Sequence, residues 1–329
     1  MLIRFTPQLS LAEISRITAR CEAVGVQYKL IQEMGTSYLA IESPDQAKID
    51  ELYFQLKHLP VVEAIIKTGE PKDPLLEMEP IVFRCATKRI GKGASPVLIA
   101  GSPYLESRNQ AVTLASELAA IGVHLYKAGP YRPSELLPPK ELYSHTGGIV
   151  KEIISQSGIP STGMIETPAP RNAISLLQAS ALHIPGKFLF DSNLRESVAK
   201  IGLPIFLERH PHASTQLWLD AARAIIALGN TNVALVEVGK ATNGDLEIDL
   251  ITCAKLTESC PLPLIIYPSL ASRSPEQVKK IARAALALGA SGVMIDVHLN
   301  PLEGLLTDGY CLSLEQFRDL YQSLRPLLI

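Results

Sequence analysis

The sequence of 329 residues has no marked excess of charge of either sign, few cysteines and few aromatic residues. Lys and Arg number 31 against 33 Asp and Glu, so the formal net charge of -2 gives no electrostatic footprint for nucleic acid. The five cysteines form no Cys-x-x-Cys pair, which argues against a zinc knuckle and against a disulfide framework. We therefore expect reduced, mostly buried thiols and no nucleic-acid partner.

Long apolar runs are also missing. No segment approaches the roughly 18 apolar residues of a membrane span, and the N-terminal segment has no apolar core of the signal-peptide kind. The sequence thus predicts a cytoplasmic protein without membrane association. With 47% hydrophobic residues, the chain is not of the disordered class and can bury a large core without disulfides or structural metals.

Residues 1–70 show the pattern of a small α+β domain. Apolar residues recur at helical spacing from Leu11 to Val24, and Ser10 before them is a suitable N-cap. The order strand–helix–strand–strand–helix–strand is that of a ferredoxin-like (ACT-like) domain. Residues 71–96 are rich in proline and glycine, and we interpret them as a linker followed by a short hairpin that closes the floor of the next domain.

From residue 97 to residue 329, short apolar strands alternate with longer helical segments. Continuous apolar strands are typical of a parallel sheet that is covered on both faces. Three of the helical segments end on glycine, the residue expected just past a helix. Eight such units predict an α/β fold, a closed (β/α)8 TIM barrel. The pair Gly147-Gly148 has no strand-to-helix context and is interpreted as a turn or a helix start.

In a (β/α)8 barrel the chemistry lies at the carboxyl ends of the strands. Polar residues follow several of the predicted strands, while no Gly-x-Ser-x-Gly elbow supports a serine nucleophile. The segments that carry most of the pattern are IAGSPYLES, YKAGPYRPS, LERH, VALVEVG, IIYPSLASR, GVMIDVHLNP and LLTDG.

As an ordered set, these segments resemble the 3-deoxy-7-phosphoheptulonate (DAHP) synthases of type Iβ, some of which carry a ferredoxin-like regulatory domain. The resemblance runs over nearly the whole chain. It implies a transferase that condenses phosphoenolpyruvate with erythrose 4-phosphate. It also implies a divalent metal (Mn, Mg, Fe or Zn) held by a Cys, a His, a Glu and an Asp, with basic residues around the phosphate groups.

Several positions of this chain depart from the family motifs. Pro103 stands at the place of the metal-binding cysteine and Leu270 at that of the histidine, so two of the four ligand positions have no donor atom. Asp296 and Asp308 stand at the two carboxylate positions and are the remaining metal candidates. Glu208 replaces a lysine expected to meet a phosphate. We therefore expect no metal held as the family holds it and no retained catalytic residue.

Four residues near the predicted mouth remain candidates for substrate binding: Lys127, Arg132, Arg209 and His298. The resemblance places a basic residue at Lys127, and a Schiff-base role is a second interpretation for that lysine. For His298, orienting a residue of the mouth and capping the strand end are both open.

Three hypotheses follow for the function. The chain is a paralogue that has lost the condensation and acts by binding or regulation, through a small-molecule effector or an active paralogue. Alternatively, it is an enzyme of the same superfamily with an altered substrate, or an unconventional DAHP synthase of the shikimate pathway. The resemblance also implies a homo-oligomer, either a dimer or a tetramer.

Overall fold

The computed structural model describes residues 2–5, 10–33, 36–43, 45–57, 59–66, 78–131, 137–242, 244–304 and 310–328. The chain forms two compact units, Met1–Glu77 and Met78–Ile329. Residues 67–77 lie outside the described part, so the predicted boundary at residue 70 and the linker after it stay predictions. Among the described helices, none is both long enough and apolar enough to cross a bilayer.

The first unit pairs two helices with a four-stranded antiparallel sheet. The elements in chain order are β1 (Leu2–Phe5), α1 (Leu11–Val24), β2 (Gln27–Glu33), β3 (Thr36–Glu42), α2 (Gln46–Leu56) and β4 (Val62–Ile66). The strands lie in the order β2-β3-β1-β4. This is the β-α-β-β-α-β arrangement of the ferredoxin-like fold that the sequence predicts.

Local signals in the sequence set the bounds of α1. The Ser10 side chain accepts the Glu13 N–H while the Glu13 carboxylate accepts the Ser10 N–H, a capping box that begins the helix. Gly25 ends it with φ 72°, a left-handed conformation that favours glycine. The apolar faces of α1 and of the sheet then meet in a core that includes Ile3, Ile17 and Leu39.

The second unit begins with a hairpin that packs against the inside of the barrel. Its strands β5 (Val82–Cys85) and β6 (Lys88–Gly91) pair antiparallel. Phe83, Cys85 and Ile90 share a cluster with inward-facing residues of the barrel strands. The N–H of Ile81 donates to the carbonyl of Pro261, which precedes a barrel strand, so the hairpin covers the amino-terminal end of the barrel.

Eight parallel strands form the barrel, with helices between them. The barrel strands are β7 (Val97–Gly101), β8 (Leu125–Tyr126), β9 (Thr162–Met164), β10 (Ala181–Ile184), β11 (Ile205–Glu208), β12 (Val233–Glu237), β15 (Leu264–Ile266) and β16 (Gly292–His298). A small hairpin, β13 (Lys240–Thr242) and β14 (Asp245–Glu247), follows β12, and β17 (Leu312–Ser313) extends beside β16. The helices are α3 (Arg108–Ile121), α4 (Pro139–Ser157), α5 (Arg171–Ile174), α6 (Ser192–Ala199), α7 (Thr215–Ala227), α8 (Leu250–Ser259), α9 (Pro275–Ala287) and α10 (Leu314–Leu324).

The strands follow one another around the barrel in chain order. Parallel pairing runs from β9 through β10, β11, β12, β15 and β16 to β7 and β8. A bridge between Tyr126 and Ser161, with the Tyr126 N–H 2.8 Å from the Pro160 carbonyl oxygen, brings β8 to the start of β9. The predicted (β/α)8 barrel is confirmed, and its carboxyl ends form a common mouth.

The five cysteines are free and buried, as the sequence predicts. Burial raises the pKa of the Cys85 and Cys253 thiols to about 12 in each case. At neutral pH these groups stay protonated, so they act as packing residues rather than as nucleophiles.

The interpretation of Gly147-Gly148 as a turn or helix start is wrong, because both residues lie inside α4. A Cβ atom on Gly147 would lie 1.8 Å from the carbonyl oxygen of Leu176, whereas a Cβ on Gly148 would meet nothing within 4 Å. Gly147 is therefore required by close contact between α4 and the backbone after α5, a requirement that helix propensity does not reveal.

The two neighbouring glycines provide a matched test of this contact. We expect Gly147→Ala to destabilise the barrel by several kcal/mol, because neither backbone can move without disturbing packed elements. Gly148→Ala should instead stabilise it by about 0.5–1 kcal/mol through helix propensity. Urea denaturation followed by circular dichroism measures both. Equal effects of the two substitutions would show that the contact with Leu176 does not constrain α4.

Candidate functional site at the barrel mouth

A cavity of about 180 Å³ lies at the carboxyl ends of the strands. Its lining residues lie near the carboxyl ends of the barrel strands or in the loops that follow them. They are Pro103, Tyr104, Lys127, Pro130, Met164, Pro185, Glu208, Tyr267, Leu270 and Asp296. The site is therefore built from loops and strand ends of the barrel mouth, where the fold class places its chemistry.

The centre of the site is a buried ion pair between Lys127, which follows β8, and Asp296, on β16. The Lys127 Nζ lies 2.6 Å from Asp296 Oδ1, and the two residues are 1% and 3% exposed. The Tyr267 hydroxyl lies 2.8 Å from Oδ1 and 2.7 Å from Oδ2 of the same carboxylate. Both oxygens of Asp296 are thus engaged by groups of the chain itself.

The Tyr267 phenol is held in its protonated form. Burial, together with the negative charges of Asp296 and Glu208, raises its pKa well above the ordinary value. Its hydroxyl therefore donates to the Asp296 carboxylate. The lysine ammonium and the phenol together compensate one buried carboxylate, which would otherwise be costly to remove from water.

Glu208, at the end of β11, places a second carboxylate at the cavity wall. Its Oε2 accepts the Gly186 N–H at 3.0 Å, and its Oε1 lies 2.8 Å from His183 Nε2. Burial raises the pKa of Glu208, but His183, the Gly186 N–H and Lys127 together lower it by more, so the pKa lies below the ordinary value. The group is therefore ionised at neutral pH. His183 is fully buried on β10, and its contact with Glu208 is within ion-pair distance without the alignment of a hydrogen bond.

The residues present at the mouth do not fit the divalent metal that the resemblance implies. Pro103 and Leu270 line the cavity and have no side-chain donor atom. Asp296, predicted as a metal candidate, is engaged by Lys127 and Tyr267 instead. Within the described residues, no group of three His, Cys, Asp or Glu side chains could hold a metal ion. Asp308, the other metal candidate, lies outside the described residues.

Arg209, predicted to bind substrate, has buried partners away from the cavity lining. It is fully buried, and its Nη1 lies 2.9 Å from Glu237 Oε2. Its Nε and Nη2 donate to the Ala213 carbonyl oxygen at 3.2 and 2.8 Å, and its guanidinium lies 5.8 Å from the Trp218 ring centroid. These contacts tie the end of β11 to β12 and α7, which is a structural role for the arginine.

His298, also predicted to bind substrate, ties the end of β16 to neighbouring loops. Its Nδ1 accepts the Asn300 N–H at 3.0 Å, and its Nε2 lies 3.2 Å from Glu106 Oε2 and 2.7 Å from the side-chain amide nitrogen of Gln110. Of the two interpretations left open, these contacts favour the strand-end role. Arg132, the remaining candidate, lies outside the described residues.

Sequence reasoning identified Lys127 and Asp296 but not their pairing. It treated Glu208 only as a replacement for a lysine and gave no role to Tyr267 or His183. The sequence holds a weak signal for His183. It lies two residues after the inward-facing Ala181 on β10, so both side chains are on the face of the strand that points into the barrel. Nothing in the sequence indicates that Tyr267 and Lys127 share one carboxylate.

Comparison with known proteins agrees with this architecture. Residues 75–327 match the DAHP synthetase I family. The chain is 23% identical to a phospho-2-dehydro-3-deoxyheptonate aldolase of Thermotoga maritima, over 99% of this chain and 97% of that relative. It is also 23% identical to a 2-dehydro-3-deoxyphosphooctonate aldolase of Aliivibrio fischeri, over 70% of this chain and 88% of the other.

Solved structures show the same fold. The crystal structure of the Thermotoga maritima phospho-2-dehydro-3-deoxyheptonate aldolase (DAHP synthase) superposes with a TM-score of 0.76 at 20% identity, covering 99% of this chain and 96% of that one. A truncated form of 3-deoxy-D-arabino-heptulosonate 7-phosphate synthase from the same organism gives 0.68 at 23% identity, covering 76% and 92%. The family match spans well over half of the chain, and the chain therefore belongs to the DAHP synthetase I family.

Proposed function

We propose that this member of the family has lost the condensation of phosphoenolpyruvate with erythrose 4-phosphate and acts by binding, as a regulatory or ligand-binding paralogue. The Thermotoga maritima relative is named as a phospho-2-dehydro-3-deoxyheptonate aldolase, so the condensation is the activity from which this chain has diverged. The single observation that carries the proposal is the ion pair of Lys127 with Asp296.

That ion pair supplies a positive charge where the resemblance implies a metal. Asp296 stands at a family ligand position, and the ammonium of Lys127 lies 2.6 Å from it. A metal ion would have to displace the ammonium and the Tyr267 hydroxyl, and it would find no donor on Pro103 or Leu270. Metal binding would break a buried ion pair and give the metal too few ligands in return, which is unfavourable. This supports the proposal that the mouth no longer catalyses the condensation.

The charges at the mouth also oppose a multiply charged anion. The Glu208 carboxylate lines the cavity, and the Lys127 ammonium is already neutralised by Asp296. Two like charges at 4 Å repel by about 4 kcal/mol at an effective dielectric near 20. The guanidinium of Arg209, which could otherwise compensate a phosphate, is paired with Glu237. Phosphoenolpyruvate would thus meet a carboxylate and apolar walls.

The partners of such a paralogue belong to the same proposal. We propose that the protein forms a homo-oligomer, a dimer or a tetramer, or associates with an active paralogue. Both are consistent with a scaffold that keeps the barrel while its mouth diverges. A small-molecule effector at the mouth is the other route to a binding function. We propose that the protein is located in the cytoplasm.

One observation favours a second candidate, an enzyme with an altered substrate. The amine of Lys127, the phenol of Tyr267 and the carboxylate of Asp296 meet at the wall of one cavity, and such groups can transfer protons or form a Schiff base. Screening of the purified protein against small metabolites tests this candidate. An activity that survives Lys127→Ala would exclude the lysine from its mechanism.

The loss of substrate and metal binding can be measured directly. We expect calorimetric titration of the full chain with Mn²⁺, with phosphoenolpyruvate, and with both together to give no saturable heat, because neither finds its compensating groups. Loss of phosphoenolpyruvate absorbance in the presence of erythrose 4-phosphate should also be absent. An active DAHP synthase provides the positive control. Saturable binding of both ligands, or turnover, would overturn the proposal.

The structural role of the central ion pair is testable by a double-mutant cycle. Lys127→Met leaves the buried Asp296 carboxylate without its cation and should cost about 3–5 kcal/mol of unfolding free energy. Adding Asp296→Asn should recover a large part of that loss, since the uncompensated charge at position 296 is then removed as well. Urea denaturation of the four proteins gives the coupling energy.

An exposed pair serves as the matched control for this cycle. Lys200 and Glu196 form an ion pair on the surface of α6, with side chains about half exposed. Lys200→Met should change the unfolding free energy by less than about 1 kcal/mol. If Lys127→Met were equally mild, the buried pair would contribute little to the stability of the mouth.

A further inference from the structure

We propose that the outer face of the β5–β6 hairpin binds a short acidic segment of a partner protein. The proposal goes beyond the proposed function, because the hairpin covers the amino-terminal end of the barrel whereas the mouth lies at the other end. It follows from a group of cations that the hairpin presents to solvent without a counter-charge among the described residues.

The hairpin is strongly basic over a short length of chain. Residues 84–92 contain no Asp or Glu and four exposed cations, which are Arg84, Lys88, Arg89 and Lys92. Within the part of the chain that the structure describes, none of these four side chains forms a hydrogen bond or an ion pair. Exposed Arg108 and Arg318, by contrast, each lie 2.6 Å from a glutamate oxygen. The charge of the hairpin is therefore left for a group from outside the described structure.

The strand register brings two of these cations together. Arg84 on β5 lies directly opposite Arg89 on β6. Residues directly opposite in an antiparallel pair share a face, with Cβ atoms about 5 Å apart, and like charges at such positions are destabilising. A carboxylate placed between the two guanidinium groups would remove this repulsion and could accept N–H donors from both. The arrangement is thus unfavourable in the free protein and favourable once an anion is bound.

The other face of the hairpin fixes the position of this basic face. Phe83 and Ile90 are 4% and 1% exposed and pack in the cluster inside the barrel. The N–H of Ile81 donates to the carbonyl oxygen of Pro261 at 2.8 Å, which ties the start of β5 to the barrel. A backbone held in this way loses little further freedom when a ligand binds to its outer face.

The dimensions of the basic face fit a short extended peptide. Strands of four residues make the face about 10 Å long and about 5 Å wide. In an extended peptide, side chains of one face recur about every 7 Å, so two or three acidic residues at alternate positions span it. Lys88 begins β6 and Lys92 follows it, which places cations at both ends. A specific nucleic-acid interface needs roughly 1,000 Å² of basic surface, and the net charge of -2 supplies no wider positive field.

A pair of matched peptides tests the acidic partner. The full-length protein is titrated into fluorescein-labelled Gly-Glu-Ser-Glu-Ser-Glu-Gly and into the same peptide with glutamine in place of glutamate, and fluorescence anisotropy is measured. We expect the glutamate peptide to bind at least about tenfold more tightly, since several modest exposed ion pairs act together. Its advantage should shrink as the salt concentration rises, because these pairs are screened.

Two double variants assign the preference to the hairpin. Arg84→Gln with Arg89→Gln should lower the affinity for the glutamate peptide to that for the glutamine peptide. Arg108→Gln with Arg318→Gln removes the same charge from side chains that are 57% and 54% exposed and already paired, so it should leave the affinity unchanged.

The stability of a single variant separates a binding role from a structural one. We expect Arg89→Gln to unfold at a urea concentration equal to or above that of the unmodified protein, because the substitution removes the repulsion from Arg84. A clearly lower midpoint would show that the arginines stabilise the hairpin in the free protein and would overturn the proposal. This measurement applies even if the double variant does not fold.

The peptide titrations can also contradict the proposal. Equal affinity for the two peptides, or a preference for glutamate that survives the Arg84 and Arg89 substitutions, would overturn the acidic-segment site. Parallel titrations use a single-stranded thymidine oligonucleotide and phosphatidylserine vesicles. Tighter binding of either one than of the glutamate peptide, lost on substitution of the two arginines, would overturn the choice of a protein partner.

Discussion

Asp296 carries a carboxylate into the interior of the barrel mouth, and a buried carboxylate must be matched by a cation or by several hydrogen-bond donors. Here the matching groups are the Lys127 ammonium and the Tyr267 hydroxyl. The three residues come from the ends of β8, β15 and β16, so one charge links strands that are far apart in sequence. The chemistry available at the mouth depends on this internal compensation.

The same constraint explains why charged residues near the mouth do not all face it. Arg209 follows β11 directly, yet its guanidinium is directed to Glu237 and the Ala213 carbonyl oxygen, outside the cavity lining. Glu208, its neighbour, lines the cavity. Adjacent residues at a strand end point to opposite faces of the sheet. The side chains of consecutive polar residues therefore point alternately into the barrel and toward the surrounding helices.

Family membership is compatible with the divergence of the mouth that we propose, because a barrel separates stability from chemistry. The paired strands and the hairpin at the amino-terminal end keep the fold, and they are separate from the carboxyl-end loops. Leu270 follows β15, and the parallel pairing of β15 with its neighbours does not involve it. A barrel of this kind can therefore keep its fold while the charge and donor pattern of its mouth changes.

Short-range patterns in the sequence determined most of the fold. The capped helix Leu11–Val24, the apolar strand Val97–Gly101 and the glycines that end α3, α7 and α9 follow from capping, periodicity and the left-handed conformation that glycine adopts. The identities of Pro103, Leu270 and Glu208 also led, through the family resemblance, to the prediction that donors and charges of the family motifs differ in this chain.

Only the tertiary structure decided which of these side chains meet. The pairing of Lys127 with Asp296 spans 169 residues, and Gly147 is required by a backbone that approaches from a different segment. Likewise, the burial of His183 beside Glu208 depends on the packing of two neighbouring strands. Contacts of this kind arise from barrel closure and from the direction of each strand end, which local propensity and residue spacing do not encode.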